Sequence, residues 1–562
     1  MNVTTRGYTR ASPEPNLGLR RPAILFLSIF YIAVTALTRE VAMADTYYYI
    51  SSILKYSGGR DLIFWDFGHL MWRPAIWALF RFANLIAPAA DSSSLVLHTM
   101  LAANWLAGLG CVLLFARVTR RFASPHITIL ATLAMMLNQA FLNYVHTGAA
   151  YVFGLFFLLL AMDLSTVQTD RDWDSWGGCS LLGASLAVAV LVWLPYLFAV
   201  PAILLLSIVL HGLNRRSIWF SLRATSVCAL VGLGAYSCVA LKLHLSSIDE
   251  IHNWIAISSH SLIPIGGFPR AIYGFNRSWF EMGRAGIEFR RFLLKDPYVH
   301  ISFGTLFFAG FWKLILTYTL FGAIVLKLAL GSTADRRILA FLALAFVPVF
   351  AFGLKWYGGD MERYLDAIPA VLFAAACALD SRPPLVLKVT SIGFIFALLA
   401  VNVPKDLRWV RDAEDRSLAA RLSVLGPKAA NGYIVVFPGD PLLGLEPISL
   451  RPSDSFAVAP EISPIVPLGY RNEREWRAIF ASTALKTWQR EDEVWICGGL
   501  LDPTPQRGWG WVEGAGPSAH WADIHSFFSH LQVSERRGDF VQLPPTPGNV
   551  EFLGAIPPPP DR

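Results

Sequence analysis

The chain is short of charge. Only 15% of its 562 residues are Asp, Glu, Lys or Arg, while 54% are hydrophobic. That poverty excludes an ordinary soluble domain, in which about a quarter of the residues carry charge. Cysteine is scarce as well. Of six, Cys111, Cys179, Cys228, Cys238 and Cys377 sit inside apolar runs and Cys497 stands alone in the tail. Their spacing supplies neither a disulfide framework nor a metal-binding set, and inside apolar runs cysteine behaves as a small hydrophobe. No internal repeat and no phosphate-cradling glycine motif occurs, which removes a nucleotide site from consideration. The formal charge of +7 calls for no nucleic-acid partner, because the Arg and Lys that orient membrane loops account for much of it.

What the chain has in abundance is apolar sequence in long runs. A crossing helix needs about 20 mostly apolar residues, and such runs fall near 22–38, 94–116, 126–143, 147–164, 178–196, 197–212, 218–242, 302–329, 337–354, 363–380 and 386–403. The expected fold class is a polytopic α-helical membrane protein of about eleven transmembrane helices. Beyond residue 404 the composition changes. Strand-like Tyr433 to Phe437 and Val494 to Cys497, with a helical stretch over 472–486, predict a small C-terminal α/β domain.

Orientation follows from Lys and Arg in short loops, which are retained on the cytoplasmic side. With Arg6, Arg10, Arg20 and Arg21 inside, the inner loops become 117–121, 169–173, 211–216, 335–337 and 382–388, nearly all basic. That consistency requires the stretch 71–88 not to cross. It carries Arg73, Pro74 and Arg81 and reads as a helix lying in the headgroup region. The domains are then a cytoplasmic N-terminus (1–21), a transmembrane domain (22–403) with outer loops 39–93 and 243–301, and an extracytoplasmic tail (404–562) on a plasma membrane. Ala42-Met43-Ala44 resembles a signal-cleavage site, but an uncleaved first helix serves the topology equally well. Either way Asp45 lies outside.

The outer loops hold the candidate chemistry. The first carries Asp45, Lys55, Asp61, Asp66, His69 and Arg73. Tyr47, Ile50, Ile53 and Leu54 recur at helical spacing after Asp45, predicting a short surface helix with Asp45 at its amino-terminal end. On those residues alone an N-cap role for Asp45 reads as well as a catalytic one. A late cluster runs from Lys355 through Asp360, Glu362, Arg363 and Tyr364. The second outer loop interleaves Trp254, Phe268, Tyr273, Phe275, Trp279 and Phe289 with Arg270, Arg277, Arg284, Arg290, Arg291 and Lys295. Residue by residue this suits an aromatic belt with snorkelling cations. As a segment, with Gly266-Gly267 as a hinge, it suits a lid over an anionic lipid head. Asn143 and His146 close a span on the same side and are weaker candidates, while Trp509 and Trp511 read as core or rim of the tail.

The plan resembles the GT-C superfamily of membrane glycosyltransferases, including its protein mannosyltransferase and aminoarabinose transferase members. The resemblance rests on Ala44-Asp45-Thr46 after the first helix, on Phe67-Gly68-His69-Leu70-Met71-Trp72-Arg73-Pro74 downstream, and on the late stretch Lys355 to Leu365 with its Arg363-Tyr364-Leu365 and Pro369. It implies a sugar donor on a polyprenyl phosphate and a lipid, glycan or protein acceptor, with membrane lipids around them. It implies one inverting displacement, with Asp45 as base and cations for the departing phosphate. Guanidinium groups suit that phosphate best, so Arg363 leads, followed by Arg73 and Lys355. Tyr364, Glu362, Arg270 and Arg277 complete the expected substrate-binding set, and Asp66 and His69 join Asp45 in the catalytic one. The alternatives for Arg363 and Arg73 are a salt bridge to Asp360 or Asp366 and interfacial snorkelling. Many relatives carry paired acids in the first loop, whereas here Asp45 stands between Ala44 and Thr46, with Glu40 and Asp66 the nearest substitutes. One carboxylate is a poor site for Mg²⁺ or Mn²⁺, so no cofactor is expected and a divalent cation is the sole candidate.

Three rivals belong beside this reading: a polymerase or ligase of lipid-linked oligosaccharides, a transporter or flippase, and a GT-C-like scaffold that binds without turnover. A transporter would place ionisable residues within its spans, and there Asp163 and Lys313 are the exceptions to a chain that keeps them at loops and helix ends.

Overall fold

The computed structural model describes residues 21–39, 44–86, 88, 92–166, 176–258, 267–283, 288–289, 292, 301–381, 383–426, 429, 432–436, 440, 442, 461–464, 473–504 and 517–558. Glu40, Gly266, Arg284, Arg290, Arg291, Lys295, Arg382, Trp509, Trp511, Arg6, Arg10, Arg20 and the loop 169–173 lie outside the described residues. The chain forms two compact units, Met1–Glu281 with Lys313–Arg408, and Met282–Trp312 with Trp409–Arg562.

The first unit is helical. Among the described residues five helices are long and apolar enough to cross a membrane: Ser92–Arg120 (α4), Arg215–Leu243 (α10), Phe303–Ala329, Thr333–Lys355 and Leu385–Asp406. A sixth arises if Pro125–Leu137 (α5) and Gln139–Val145 (α6) count as one. Arg21–Leu37 (α1), Tyr151–Thr166 (α7), Trp176–Val192 (α8), Leu194–Leu210 and Ala367–Asp380 are apolar but only 10–17 residues long.

The span expected over 126–143 is not continuous, because α5 and α6 meet at 61°. Asn138 takes an extended conformation there and its side chain accepts from Phe141 N, ending one helix and capping the next. Asn402 holds the break in place. Its Nδ2 donates to the carbonyls of Leu137 and Trp279, both at 2.7 Å, and its Oδ1 accepts from Glu281 N at 2.9 Å.

Helix α3, Trp72–Ile86, has 15 residues, about 22 Å at 1.5 Å per residue. Trp72, Ile76 and Phe80, spaced at helical repeats, bury one stripe while Leu85 and Ile86 stay exposed. At the far end of α4, Asp163 accepts from Arg121 at 2.7 Å and lies 3.3 Å from Arg117, and Ser124 N donates to Asp380 at 3.0 Å. Lys313 donates to the Glu281 carbonyl at 2.5 Å. Both exceptional charges of the spans are thus bound to structural partners.

The second unit contains a five-stranded sheet: β1 (Tyr433–Val436), β2 (Glu461–Pro464), β3 (Val494–Cys497), β4 (Arg536–Arg537) and β5 (Phe540–Leu543), in the order β2-β1-β3-β5-β4. β1 runs parallel to β2 and β3, and β5 antiparallel to β3 and β4. Alternation along each strand loads both faces. Tyr433, Val435, Val494 and Ile496 pack with Trp476, Phe480 and Trp521 from helices Glu473–Gln489 and Pro517–Ser529. Ile434, Val436, Trp495 and Phe540 pack with Leu422 and Leu425 on the other side.

Candidate active site

Asp45 occupies the first turn of helix α2, Ala44–Lys55, where the unpaired amides favour a carboxylate. What fixes its place is the next residue. Buried Thr46 accepts from Gly148 N at 3.1 Å, and the Gly148 carbonyl accepts from Trp72 Nε1 of α3 at 3.0 Å. Asn104 of α4 donates to the flanking carbonyls of Thr147 and Ala149, both at 2.7 Å. Three helices therefore clamp one turn. Gly148 is required in it, since a Cβ there would lie 2.7 Å from the Thr46 methyl.

The clamp delivers Tyr151, the first residue of α7, to the acid: its hydroxyl donates to Asp45 Oδ2 at 3.4 Å, a long contact. The Tyr151 ring meets Tyr144 edge-on at 4.6 Å, Trp193 at 4.7 Å and His69 at 6.2 Å. From there the cluster reaches the late loop. Tyr144 Oη donates to Glu362 Oε2 at 2.6 Å, and the Arg363 guanidinium lies 5.9 Å from the Trp193 and Phe352 rings. Asp45 and Arg363, far apart in sequence, are joined through Tyr151 and Trp193. The salt-bridge partner nearest Arg363 is neither Asp360 nor Asp366 but Glu362, at 3.8 Å from Nε, and that Nε makes no hydrogen bond.

Asp66, His69 and Arg73 form an adjoining group. Arg73 is 1% exposed, so it does not snorkel. Its Nη1 donates to Asp66 Oδ2 at 2.8 Å, and its guanidinium lies 4.6 Å from the Tyr49 ring and 5.2 Å from Tyr48. Asp66 Oδ1 also accepts from Gly68 N at 3.0 Å. Burial opposes the charge on Asp66, but His69, Arg73 and the Ser258 hydroxyl outweigh it and hold the carboxyl below the usual range. His69 Nδ1 is 3.2 Å from the Val192 carbonyl. A carbonyl only accepts, so Nδ1 carries the proton and Nε2 is left as the acceptor. Burial pulls His69 below its ordinary value despite Asp66, making it a neutral imidazole near pH 7. Arg73 is then the cation that keeps Asp66 ionised.

The late loop is held by close backbone approach. A Cβ on Gly274 of helix α12 (Phe268–Trp279) would fall 1.9 Å from the Gly358 carbonyl oxygen, and one on Gly358 would fall 2.0 Å from that of Gly353. Tyr364 is fully buried, with its hydroxyl donating to the Gly358 carbonyl at 2.9 Å, so it shapes the loop. Arg277 Nη1 reaches the Gly359 carbonyl at 3.5 Å, and Arg270 is half-buried within the field of Asp360. Lys355 ends its helix exposed. Glu362 is pushed up to about 7 by burial and by Asp360, against Arg363 and the Tyr144 hydrogen bond. Helix α12 differs from the expected lid: Phe275 and Trp279 are buried, Thr317 donates to Asn276 at 2.7 Å and Tyr318 to the Ile272 carbonyl at 2.8 Å.

Among the described residues no group of three or more His, Cys, Asp or Glu is placed to hold a metal ion. Tyr144, Tyr151 and Trp193 are the members of the cluster that the sequence did not single out. Aromatics at span ends ordinarily read as interfacial belt. The available signal was topology, which puts Tyr151 and Trp193 at the same end as Asp45. Of the weaker candidates, His146 is bonded to Thr38 Oγ1 at 3.0 Å and Asn143 is buried.

No family model and no curated protein matches the chain. Solved structures do. The chain is similar to ArnT from Cupriavidus metallidurans bound to undecaprenyl phosphate, at 11% identity and a TM-score of 0.47, covering 93% of this chain and 97% of that one. The apo state of the same protein matches over the same shares at 13% identity and a TM-score of 0.40. The archaeal oligosaccharyltransferase AglB from Archaeoglobus fulgidus, in complex with an inhibitory peptide and a dolichol-phosphate, matches at 12% identity and a TM-score of 0.44, covering 85% of this chain and 69% of that one. At such values no residue role passes from them to this chain.

Proposed function

We propose that this chain is an integral-membrane glycosyltransferase of the GT-C type that moves a sugar from a polyprenyl-phosphate donor to an acceptor hydroxyl. The observation that carries the reading is the single cluster holding Asp45 and Arg363, joined through Tyr151 and Trp193. Asp45 takes the proton as the acceptor oxygen bonds to the anomeric carbon. The bond from that carbon to the phosphate oxygen breaks, and its electron pair leaves with the phosphate. Arg363, half-buried and with Nε free of hydrogen bonds, supplies the charge that the leaving phosphate needs. The Asp66–Arg73 pair underlies Tyr48 and Tyr49 of α2 and positions the helix that carries Asp45.

Eleven membrane crossings, with the cluster on the extracytoplasmic face of a plasma membrane and the boundaries 1–21, 22–403 and 404–562, belong to the same proposal. From Asn104, which holds the turn beside Asp45, α4 rises about 24 Å to Arg120, most of a hydrocarbon thickness. The basic residues 117–121 and the acid therefore suit opposite membrane faces. The test is transfer of labelled sugar from a polyprenyl-phosphate donor by purified full-length protein. Asp45→Asn should abolish product while membrane insertion and monodispersity persist, and full activity in that variant would remove Asp45 from the mechanism.

A further inference from the structure

A cavity of about 680 Å³ lies between the end of α2, helix α3 and the last turn of α10, and none of its lining residues belongs to the Asp45 cluster. Its volume falls in the range of small-molecule sites, about 300–1,000 Å³. Its walls are aromatic: Tyr56 stacks flat on Phe64 with ring centres 3.6 Å apart, and Trp77 stands edge-on to Tyr56 at 5.7 Å. Trp65 is fixed from behind, its carbonyl accepting from Trp254 Nε1 at 2.7 Å. Two cations reach the cavity and, among the described residues, no acid lines it. Lys242 Nζ lies 4.5 Å from the Trp65 ring and donates to Tyr56 Oη at 3.0 Å. Arg81 lies 5.7 Å from the Trp77 ring, and beyond that contact it has no partner among the described residues.

Snorkelling alone explains cations beside aromatics, but it does not explain a concave aromatic wall with both cations converging on it. Lys242 keeps two donors and Arg81 all five, so both remain able to bind an anion. Helix α3 is a surface helix and Lys242 sits at the end of an apolar helix, so the cavity opens where lipid headgroups lie. Trp65 and Pro74 of its wall are chain neighbours of the ion-paired Asp66 and Arg73.

We infer that this cavity binds the phosphate-bearing head of a membrane lipid, with Arg81 and Lys242 on the phosphate and Trp65 and Trp77 against the adjoining apolar part. The inference is independent of the proposed glycosyl transfer. It is tested by titrating the detergent-solubilised full chain with three soluble probes: dihexanoyl phosphatidylglycerol, dihexanoyl phosphatidylcholine and inorganic phosphate. The anionic lipid should bind tightest, and the double variant Arg81→Gln/Lys242→Gln should weaken it by about 30-fold. Arg81→Lys/Lys242→Arg should restore most of that loss. Trp77→Ala should weaken the lipid while leaving inorganic phosphate unchanged. If the double variant does not accumulate, Lys242→Gln alone should cost roughly 5-fold. Equal binding of the anionic lipid to wild type and double variant overturns the site. Equal affinity for both lipids overturns the role of the cations. Inorganic phosphate binding as tightly as the lipid overturns the lipid assignment in favour of a free-phosphate site.

Discussion

Glu362 offers the sharpest physical test. An isolated glutamate titrates near 4.5, and burial beside Asp360 pushes this one up to about 7. At 1.36 kcal/mol per pKa unit the gap corresponds to about 3 kcal/mol, an order-of-magnitude figure. The folded state holds the proton more tightly than the unfolded chain, so between these two values folding takes up protons. Stability is therefore greatest below the unfolded value, declines as pH rises toward 7, and bears the full cost above it. Glu362→Gln keeps the size of the side chain and an oxygen for the Tyr144 hydroxyl but removes the titration. Thermal unfolding of the purified protein, followed by tryptophan fluorescence from about pH 5 to about pH 8, should show wild type losing several degrees relative to the variant. Parallel profiles would refute the reasoning, because they would mean that Glu362 is not held proton-bound by its surroundings.

Two further substitutions probe the frame around the cluster. Asn402→Ala strands the carbonyls of Leu137 and Trp279 and the amide of Glu281, each at about 1–3 kcal/mol. Its melting temperature should fall markedly, and an unchanged one would show that Asn402 does not hold the break between α5 and α6. Gly274→Ala places a methyl 1.9 Å from the Gly358 carbonyl oxygen. It should loosen the late loop, seen as faster proteolysis there and lower transfer, and wild-type behaviour in both assays would show that the close approach is not needed.

Composition carries the helical character of the first unit, because long apolar runs announce helices, although five of the apolar helices reach only 10–17 residues and the run 126–143 is broken. The brevity of helix α3, 15 residues, was legible for a different reason. Arg73, Pro74 and Arg81 are costly in hydrocarbon, and loop charge stays consistent only if the segment does not cross. The break at Asn138 was not legible, since the residue that holds it in place, Asn402, is distant in sequence and itself unremarkable. In the tail, β1, β3 and the helix Glu473–Gln489 follow from local pattern, whereas β2, β4 and β5 are short strands that depend on pairing across the sheet. For the candidate site, charge marked Asp45, Asp66, Arg73 and Arg363, because ionised groups stand out in an apolar chain. Tyr144, Tyr151 and Trp193 did not stand out among many aromatics, and only the clamp on Gly148 brings them to the acid. Arg73 and Arg363 had plausible bland explanations. The buried pair with Asp66 replaces one, and the Glu362 neighbour replaces the other.

The central claim is that Asp45 and Arg363 serve one reaction in different roles, and donor binding measured beside single-turnover transfer tests it most directly. Asp45→Asn should bind the polyprenyl-phosphate sugar with near wild-type affinity and form no product. Arg363→Gln should weaken donor binding by at least about tenfold, in keeping with a lost charge-assisted contact to phosphate. Wild-type donor affinity and wild-type transfer in Arg363→Gln would contradict the account, because the cation at the end of the Tyr151–Trp193 cluster would then have no part in holding the phosphate.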